Sequence, residues 1–494
     1  MILSLLVISS LQVKAQYLEN IYDYIVNTSV FEEGQEEGHA TEFVSNINEF
    51  LPMYQERVRQ MVLRDRNHPS VLFWSAGNES GEGPLINEVV KEGKKYDPTR
   101  YFMYGGNAYA HSAEDIIGPR YPTPYELEMN TAMTPATADP RPSFMDEYLS
   151  VAGNAGGGLD EYWDIIRRHP RLMGGALWDF VSPGITDRVR PLTDSSPYNT
   201  PVHLMGNSKV EIGGKAMLKN PISFNLWRAP LANEVDSWNA FRVNGGYSDG
   251  YGNMVSTLFY SHGLTQLRIR PSEIRLTHNE NETTVFVRQL VQVGASSYGK
   301  LDLYIQGIQL AGFTIDYTYS FYDDGTVKIH NHMSPQGKLP EILPRIGFTT
   351  SIANEFDQIT WYGRGPEENY PDRKTGYPIG IWSRSVAQMY EPYLMPQDHA
   401  LRTDTRYVEL KNKDGMGVQI AMNEHFNFNA YEFSTDNLTK SQFTYQLQPQ
   451  QDRYTLNLDY ATTGVGCTCV YVLDEYRIKP APYDRVITIK PVSK

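Results

Sequence analysis

Apolar and polar positions along this chain follow two regimes, and the change between them divides the molecule. In the first regime helical and strand-like patterns alternate. From Pro52 the spacing of Tyr54, Val58, Met61 and Val62 puts four apolar side chains on one helical face, with Pro52 near the helix start. Val71-Leu72-Phe73-Trp74 is then a short, wholly apolar, β-rich run, which suits a strand buried on both faces of a parallel sheet. The chain breaks at once into Ser75-Ala76-Gly77-Asn78-Glu79-Ser80-Gly81. The order then repeats. A helix with Ile86, Val89 and Val90 on one face leads to a strand at Tyr101-Phe102-Met103-Tyr104 and a short strand around Ile116-Ile117 ending at Tyr121. A strand through Phe144 ends in Glu147, a helix carries Leu159, Tyr162, Trp163 and Ile166, and a last strand runs from Gly174 to Trp178. Alternating β and α units predict a parallel sheet.

After Leu218 the period changes from helical to alternating. Phe313-Thr314-Ile315-Asp316-Tyr317-Thr318-Tyr319-Ser320-Phe321 alternates apolar with polar residues, Asp324-Gly325 is a hairpin turn signal, and Thr326-Val327-Lys328-Ile329 begins the return strand. Such a half predicts a large, two-sheet antiparallel β-sandwich. The expected organisation is a signal-peptide-like segment at 1–15, a catalytic domain at 16–182, a Pro- and Gly-containing linker at 183–217, and the sandwich at 218–494. The first segment, with its apolar run and Val13-Lys14-Ala15 before Gln16, carries an expectation of export, secreted or periplasmic. No other segment is long and apolar enough to predict a membrane span.

At 494 residues the chain has room for two or three domains. A net charge of −14 argues against nucleic acid or anionic membrane as the main partner, since both are polyanions, whereas a neutral saccharide would be indifferent to it. The two cysteines, Cys467 and Cys469, are two residues apart in what reads as a strand, which disfavours a mutual disulfide and leaves no zinc framework.

The candidate chemistry lies where two predicted strands end in acids. Glu79 follows the Val71 strand, and Glu147 closes the stretch Pro142-Ser143-Phe144-Met145-Asp146-Glu147-Tyr148, which a Gly-rich segment follows. In sheets with crossover helices, catalytic groups gather at the carboxyl ends of strands. Two carboxylates at such ends are what glycoside hydrolysis requires, one to protonate the leaving oxygen and one to attack or to activate water. Asp146, next to Glu147, is expected to point the other way along the strand and to be structural.

The stretch from Arg64 to Ser80, RDRNHPSVLFWSAGNES, resembles the acid/base signature of glycoside hydrolase family 2, and SFMDEY followed by Gly153-Asn154 resembles its nucleophile signature. In the second half, NLWRAPLANE from Asn225, WYGRGPEENYPDRKTG from Trp361 and Tyr390-Glu391-Pro392-Tyr393 resemble the final domain of the large β-galactosidases in that family. The resemblance implies that the five strands are the fourth to eighth of a (β/α)₈ barrel. A barrel takes about 250 residues and each βα step about 30. Only the residues before Val71 precede the Glu79 strand, so the expectation is a partial barrel of about five units, truncated at the N-terminus or internally deleted.

The resemblance further implies a retaining exo-β-galactosidase-like hydrolase acting on β-galactoside oligo- or polysaccharides, with Glu147 as nucleophile and Glu79 as acid/base. These roles need diverging acidities, Glu79 raised by a neighbouring carboxylate and partial burial, and Glu147 held down by hydrogen bonds to its ionised form. Asn78 is implied to hydrogen-bond the sugar 2-OH, Tyr121 to lie near the nucleophile, Trp178 to form a sugar platform, and Tyr471 to offer a ring to the sugar. The family's histidine three residues beyond the nucleophile is Ser150 here. Members of the family take Mg or Na/Ca ions, but Val26-Asn27-Thr28-Ser29 stands roughly where the ligand motif would be, so no metal or other cofactor is assigned. The alternative expectation is an inactive remnant that at most binds carbohydrate. An open barrel edge would favour a homo-oligomer.

Overall fold

The computed structural model describes residues 45, 47–78, 83–105, 113–151, 153–178, 211–212, 215–235, 255–265, 267–279, 282–294, 311–467 and 471–493. Glu79, the segment 1–15, most of the expected linker and Cys469 lie outside these residues. Two compact units emerge, Met1–Ser150 with Leu159–Phe180, and Val151–Gly158 with Val181–Lys494.

In the first unit, α1 (Leu51–Asp65) carries Pro52 in its first turn and buries Tyr54, Val58, Met61 and Val62, the face that the sequence spacing predicts. They pack with Trp74 of β1 (Phe73–Asn78), with Val89 and Val90 of α2 (Leu85–Tyr96), and with Phe102 of β2 (Tyr101–Gly105). β1 differs from expectation in register. Leu72 stands ahead of the paired residues and is 59% exposed, while Ser75, Ala76, Gly77 and Asn78 continue the strand, because pairing with β2 runs in parallel from Phe73↔Tyr101 to Asn78↔Gly105. Burial on both faces therefore holds for Trp74 but not for Leu72.

The next strands follow in chain order. The Asp115 amide donates to the Phe102 carbonyl at 2.8 Å, and Ile117 bridges in parallel to Ser143. β3 (Ser143–Tyr148) then pairs in parallel with β4 (Leu172–Leu177). Before β3 comes α3 (Pro124–Glu126), with a Thr123/Glu126 capping box and a wider helical turn at Leu127–Ala132, and between β3 and β4 lies α4 (Leu159–Arg168). Consecutive parallel strands without reversal of order are the arrangement of a partial (β/α) barrel rather than of a doubly wound sheet. The buried face of α4 is Tyr162, Ile165 and Ile166; Leu159, expected on it, opens the helix and is exposed.

The second unit begins with a small hairpin, β5 (Glu211–Ile212) and β6 (Lys215–Ala216). A large sheet follows, made of β7 (Leu218–Asn225), β8 (Leu267–Asn279), β9 (Glu282–Val293), β10 (Gly312–Phe321), β11 (Val327–Gln336) and β12 (Arg345–Ala353). Its remaining strands are β13 (Gln358–Arg364), β14 (Ile379–Ser385), β15 (Arg402–Lys411), β16 (Gly417–Tyr431), β17 (Arg453–Thr462) and β18 (Tyr483–Val492). These twelve strands run in the order β14-β13-β15-β16-β18-β11-β10-β9-β8, with β17 also on β16, β12 on β17 and β7 on β12. Two layers face one another: Phe348 of β12 meets Tyr317 of β10 at 6.1 Å and Phe224 of β7 meets Phe313 of β10 at 5.3 Å, although these strands share no hydrogen bonds. The predicted hairpin is β10–β11, closed by Phe321↔Val327, with Gly325 at φ +80° and Asp324 accepting from the Thr326 amide at 2.8 Å.

Cys467 lies beyond the end of β17 in an irregular segment, not in the strand expected there. The conspicuous stretches of this half are structural. Arg228 and Glu234 form a fully buried pair at 2.8 Å, and Asp372 accepts from the Val465 and Gly466 amides at 2.9 and 2.8 Å. Within the same unit a Cβ on Gly157 would come within 2.0 Å of Asp372, so this part of the Gly-rich segment requires glycine. Among the described residues no helix is long and apolar enough to cross a membrane.

Candidate active site

The side chains with candidate chemistry sit where the parallel strands of the first unit end. Asn78 closes β1, Gly105 closes β2, the run through Ile117 leads to Arg120 and Tyr121, β3 closes on Asp146-Glu147-Tyr148, and Trp178 follows β4. Parallel pairing aligns these ends, so residues far apart in the chain meet at one edge of the sheet.

Tyr121 and Glu147 meet twice. The Tyr121 amide donates to the Glu147 carbonyl at 3.1 Å, and the phenol donates to Glu147 Oε2 at 2.6 Å. Tyr121 has φ +45°, a left-handed conformation that bulky residues rarely adopt and that costs on the order of 1–3 kcal/mol. That backbone turn aims the ring back at the carboxylate.

Arg120 adds an ion pair. Its Nη2 lies 3.0 Å from Glu147 Oε1, its Nε donates to Asp146 Oδ2 at 3.1 Å, and Nη2 also donates to Asp146 Oδ2 and to Asn78 Oδ1. One guanidinium thus touches side chains from β1 and β3. Gly105 leaves the room: a Cβ there would stand 2.7 Å from Asp146 Oδ2, 2.9 Å from Arg120 Nη2 and 3.0 Å from Asn78 Oδ1.

Asp146 departs from expectation. Strand alternation would send it away from Glu147, yet both carboxylates reach Arg120. The β3–β4 pairing shifts register between Met145 and Tyr148, and this irregularity breaks the pleat where the two acids stand. Burial pushes the Asp146 carboxyl up to about 7, against the lowering influence of Arg120, and the neighbouring Glu147 adds to the rise. Its Oδ1 is buried with no hydrogen-bond partner among the described residues, as that desolvation requires.

Of the residues singled out from sequence, Asn78, Tyr121 and Glu147 are therefore assembled around Arg120. Trp178 is at the same edge, its amide donating to the Tyr148 carbonyl at 3.1 Å, and the residue is 37% exposed. Glu79 is the residue after Asn78 and lies outside the described residues. Tyr471 does not offer its ring to a ligand: it is buried, and its hydroxyl donates to Glu234 at 3.2 Å beside the Arg228 pair. Sequence reasoning missed Arg120 and the full role of Asp146. The available signals were a cation directly before Tyr121 at a strand end, and an Asp-Glu doublet at the other. Among the described residues no group of three or more His, Cys, Asp or Glu side chains is placed to hold a metal ion, so no metal site is built from them.

Comparison with known proteins places this geometry in context. The family described as "Glycosyl hydrolases family 2, TIM barrel domain" matches residues 22–199, and "Beta galactosidase small chain" matches residues 206–489. The chain belongs to glycosyl hydrolase family 2, on its β-galactosidase branch. A β-galactosidase of Priestia megaterium (strain DSM 319 / IMG 1521) is 24% identical over 592 residues, covering 88% of this chain and 56% of that protein. One from Vibrio vulnificus (strain YJ016) is 23% identical and covers 94% of this chain and 61% of that protein. The chain thus spans little more than half the length of these relatives. Among solved structures, a galactose 1-epimerase from Lactobacillus acidophilus NCFM is 8% identical over 45% of this chain and 66% of that chain, with a TM-score of 0.25, too slight a likeness to bear on the fold.

Proposed function

We propose that the chain is a retaining exo-β-galactosidase-like hydrolase that removes terminal β-galactosyl residues from oligo- or polysaccharides. The observation that carries this reading is the convergence of the Tyr121 phenol and the Arg120 guanidinium on the two oxygens of Glu147. A hydrogen-bond donor and a cation on one carboxylate are what a nucleophile kept in its ionised form needs. Family membership supports the substrate class.

In the first step a Glu147 oxygen attacks the anomeric carbon while Glu79 gives its proton to the departing glycosidic oxygen, leaving a covalent glycosyl-enzyme. Glu79 then takes a proton from water, the water oxygen attacks the same carbon, and the bond to Glu147 breaks. Asn78, whose amide oxygen accepts from Arg120, is assigned to the sugar 2-OH, a contact that strengthens as positive charge grows on the ring. Trp178 is assigned as an apolar platform at the edge of the site.

The test is turnover of nitrophenyl β-galactoside by wild type, Glu79→Gln and Glu147→Gln. Each variant should lose nearly all activity, and undiminished turnover in either one would remove that residue from its role.

A further inference from the structure

We propose that Arg120 is the positioning residue that ties the two ends of the site together, holding Asn78 on β1 and the Asp146–Glu147 pair on β3 through a single guanidinium. This rests on Glu147 being the nucleophile.

The contacts require an arginine in particular. Nε donates to Asp146 Oδ2 at 3.1 Å while Nη2 reaches Asp146 Oδ2, Asn78 Oδ1 and, at 3.0 Å, Glu147 Oε1. A lysine ammonium is a point charge on a flexible stem and cannot span three partners on two strands in one plane. The cluster is largely withdrawn from water, with side-chain exposures of 10% for Arg120, 12% for Asp146 and 13% for Glu147, so its attractions are weakly screened. The groups facing Glu147 from the described elements are Arg120 and Tyr121 from the connection before α3, Asp146 beside it on β3, and the neutral amide of Asn78 across Arg120. Glu79 follows Asn78 in the chain.

Charge bookkeeping gives Asp146 its part. When Glu147 forms a bond to the anomeric carbon, its negative charge is consumed as the glycosidic bond breaks and the proton moves from Glu79 to the leaving oxygen. Arg120 then loses the charge of Glu147 beside it. Asp146 Oδ2 still accepts from Nε and Nη2 and holds the guanidinium in place through the intermediate, ready for Glu147 to regain its charge when water releases the sugar. The same guanidinium also fixes Asn78, so one side chain orders both the nucleophile and the residue assigned to the sugar 2-OH.

The experiment compares wild type, Arg120→Gln, Arg120→Lys and Asp146→Asn, each checked for folding by its thermal transition, with two readouts. The first is the pH profile of kcat/KM on nitrophenyl β-galactoside. In Arg120→Gln kcat should fall by about tenfold or more with KM less affected. The acid limb should move up by about one pH unit or more, because an opposite charge beside Glu147 has been removed. Arg120→Lys should return the limb toward its wild-type position without restoring kcat. The second readout needs no turnover: carbodiimide labelling of Glu147 against pH, read by peptide mass spectrometry, should shift its midpoint upward in Arg120→Gln and much less in Arg120→Lys. A folded Arg120→Gln with an unmoved labelling midpoint overturns the proposal, as does a kcat loss with an unmoved acid limb. If wild type fails to hydrolyse the galactoside, the catalytic reading falls by itself, and the labelling still decides whether Arg120 governs Glu147. Should Arg120→Gln not fold, Arg120→Lys and Asp146→Asn carry the same test, the latter expected to lower kcat while leaving Glu147 paired with Arg120.

Discussion

The phenol of Tyr121 donates to a carboxylate oxygen of Glu147 at 2.6 Å while its amide donates to the same residue's carbonyl at 3.1 Å. A residue held at φ +45° and spent on one carboxylate points to a site whose geometry outranks local backbone comfort. Tyr121→Phe keeps the ring and the backbone and removes only the hydroxyl. A hydrogen bond to a charged group is worth about 1.5–3 kcal/mol, so kcat should drop about 10- to 100-fold. The thermal transition should hardly move. Equal kinetics for variant and wild type would show that the phenol is incidental.

Gly105 is the empty position around which the charges gather. Alanine there would press a Cβ to 2.7 Å from Asp146 Oδ2 and 2.9 Å from Arg120 Nη2. Both are ends of side chains and can shift, so stability should fall little. Misplacement of catalytic groups by about 1 Å can cost about 100-fold in rate, and a kcat loss of tenfold or more is expected for Gly105→Ala. Steady-state kinetics beside a melting curve separate the two effects, and a large loss of stability would count against this account.

The buried Asp146 carboxyl gives stability a particular dependence on pH. Its value rises from the ordinary 3.8 to about 7, chiefly through burial, so between these limits the folded protein keeps a proton that the unfolded chain has released. Its contribution is therefore full below about pH 4 and is lost as pH rises toward 7, at no more than about 1.4 kcal/mol for each pH unit crossed. Asp146→Asn does not titrate and should gain on wild type across that window. Urea midpoints of both proteins at pH 5 and pH 8, for the transition that includes β3, measure the difference. A gap that closes with rising pH contradicts the sign.

In the second unit the fully buried Arg228–Glu234 pair at 2.8 Å is also bonded to the Thr463 carbonyl at 3.1 Å and to the Tyr471 hydroxyl at 3.2 Å. Breaking one side of such a pair strands a charge in the interior. Glu234→Gln should therefore destabilise this unit by about 3–5 kcal/mol. The double variant Arg228→Met/Glu234→Gln should lose less than the sum of the single changes, because the second substitution removes the stranded partner. Chemical denaturation of the three variants completes the cycle, and additive losses would mean the two side chains do not interact.

Much of the architecture is legible in the amino-acid order because it depends on local period. The buried face of α1, the parallel pairs β1–β2 and β3–β4, the β10–β11 hairpin with its Asp-Gly turn, and the placing of Asn78 and Glu147 at strand ends follow from spacing and turn chemistry, whereas the strand expected around Ile116-Ile117 is a single bridge from Ile117 to Ser143 and Tyr121 follows it in a bend. The errors fell at element ends. Leu72 and Leu159 are apolar by type but stand beyond the packed part of their elements, and Tyr471 is interior because Glu234 needs its hydroxyl.

Only the tertiary structure decided what Arg120 does. It meets Asn78 across 42 positions of chain and Asp146 across 26, and neither contact leaves a periodic trace. The amino-acid order alone determined which residues would arrive at the carboxyl edge of the sheet, since helical and strand periods are local properties of the chain. Which of them touch was settled by a register shift in β3, a left-handed tyrosine and the space left by Gly105, all of which arise when strands from distant parts of the chain pair and their side chains compete for one volume.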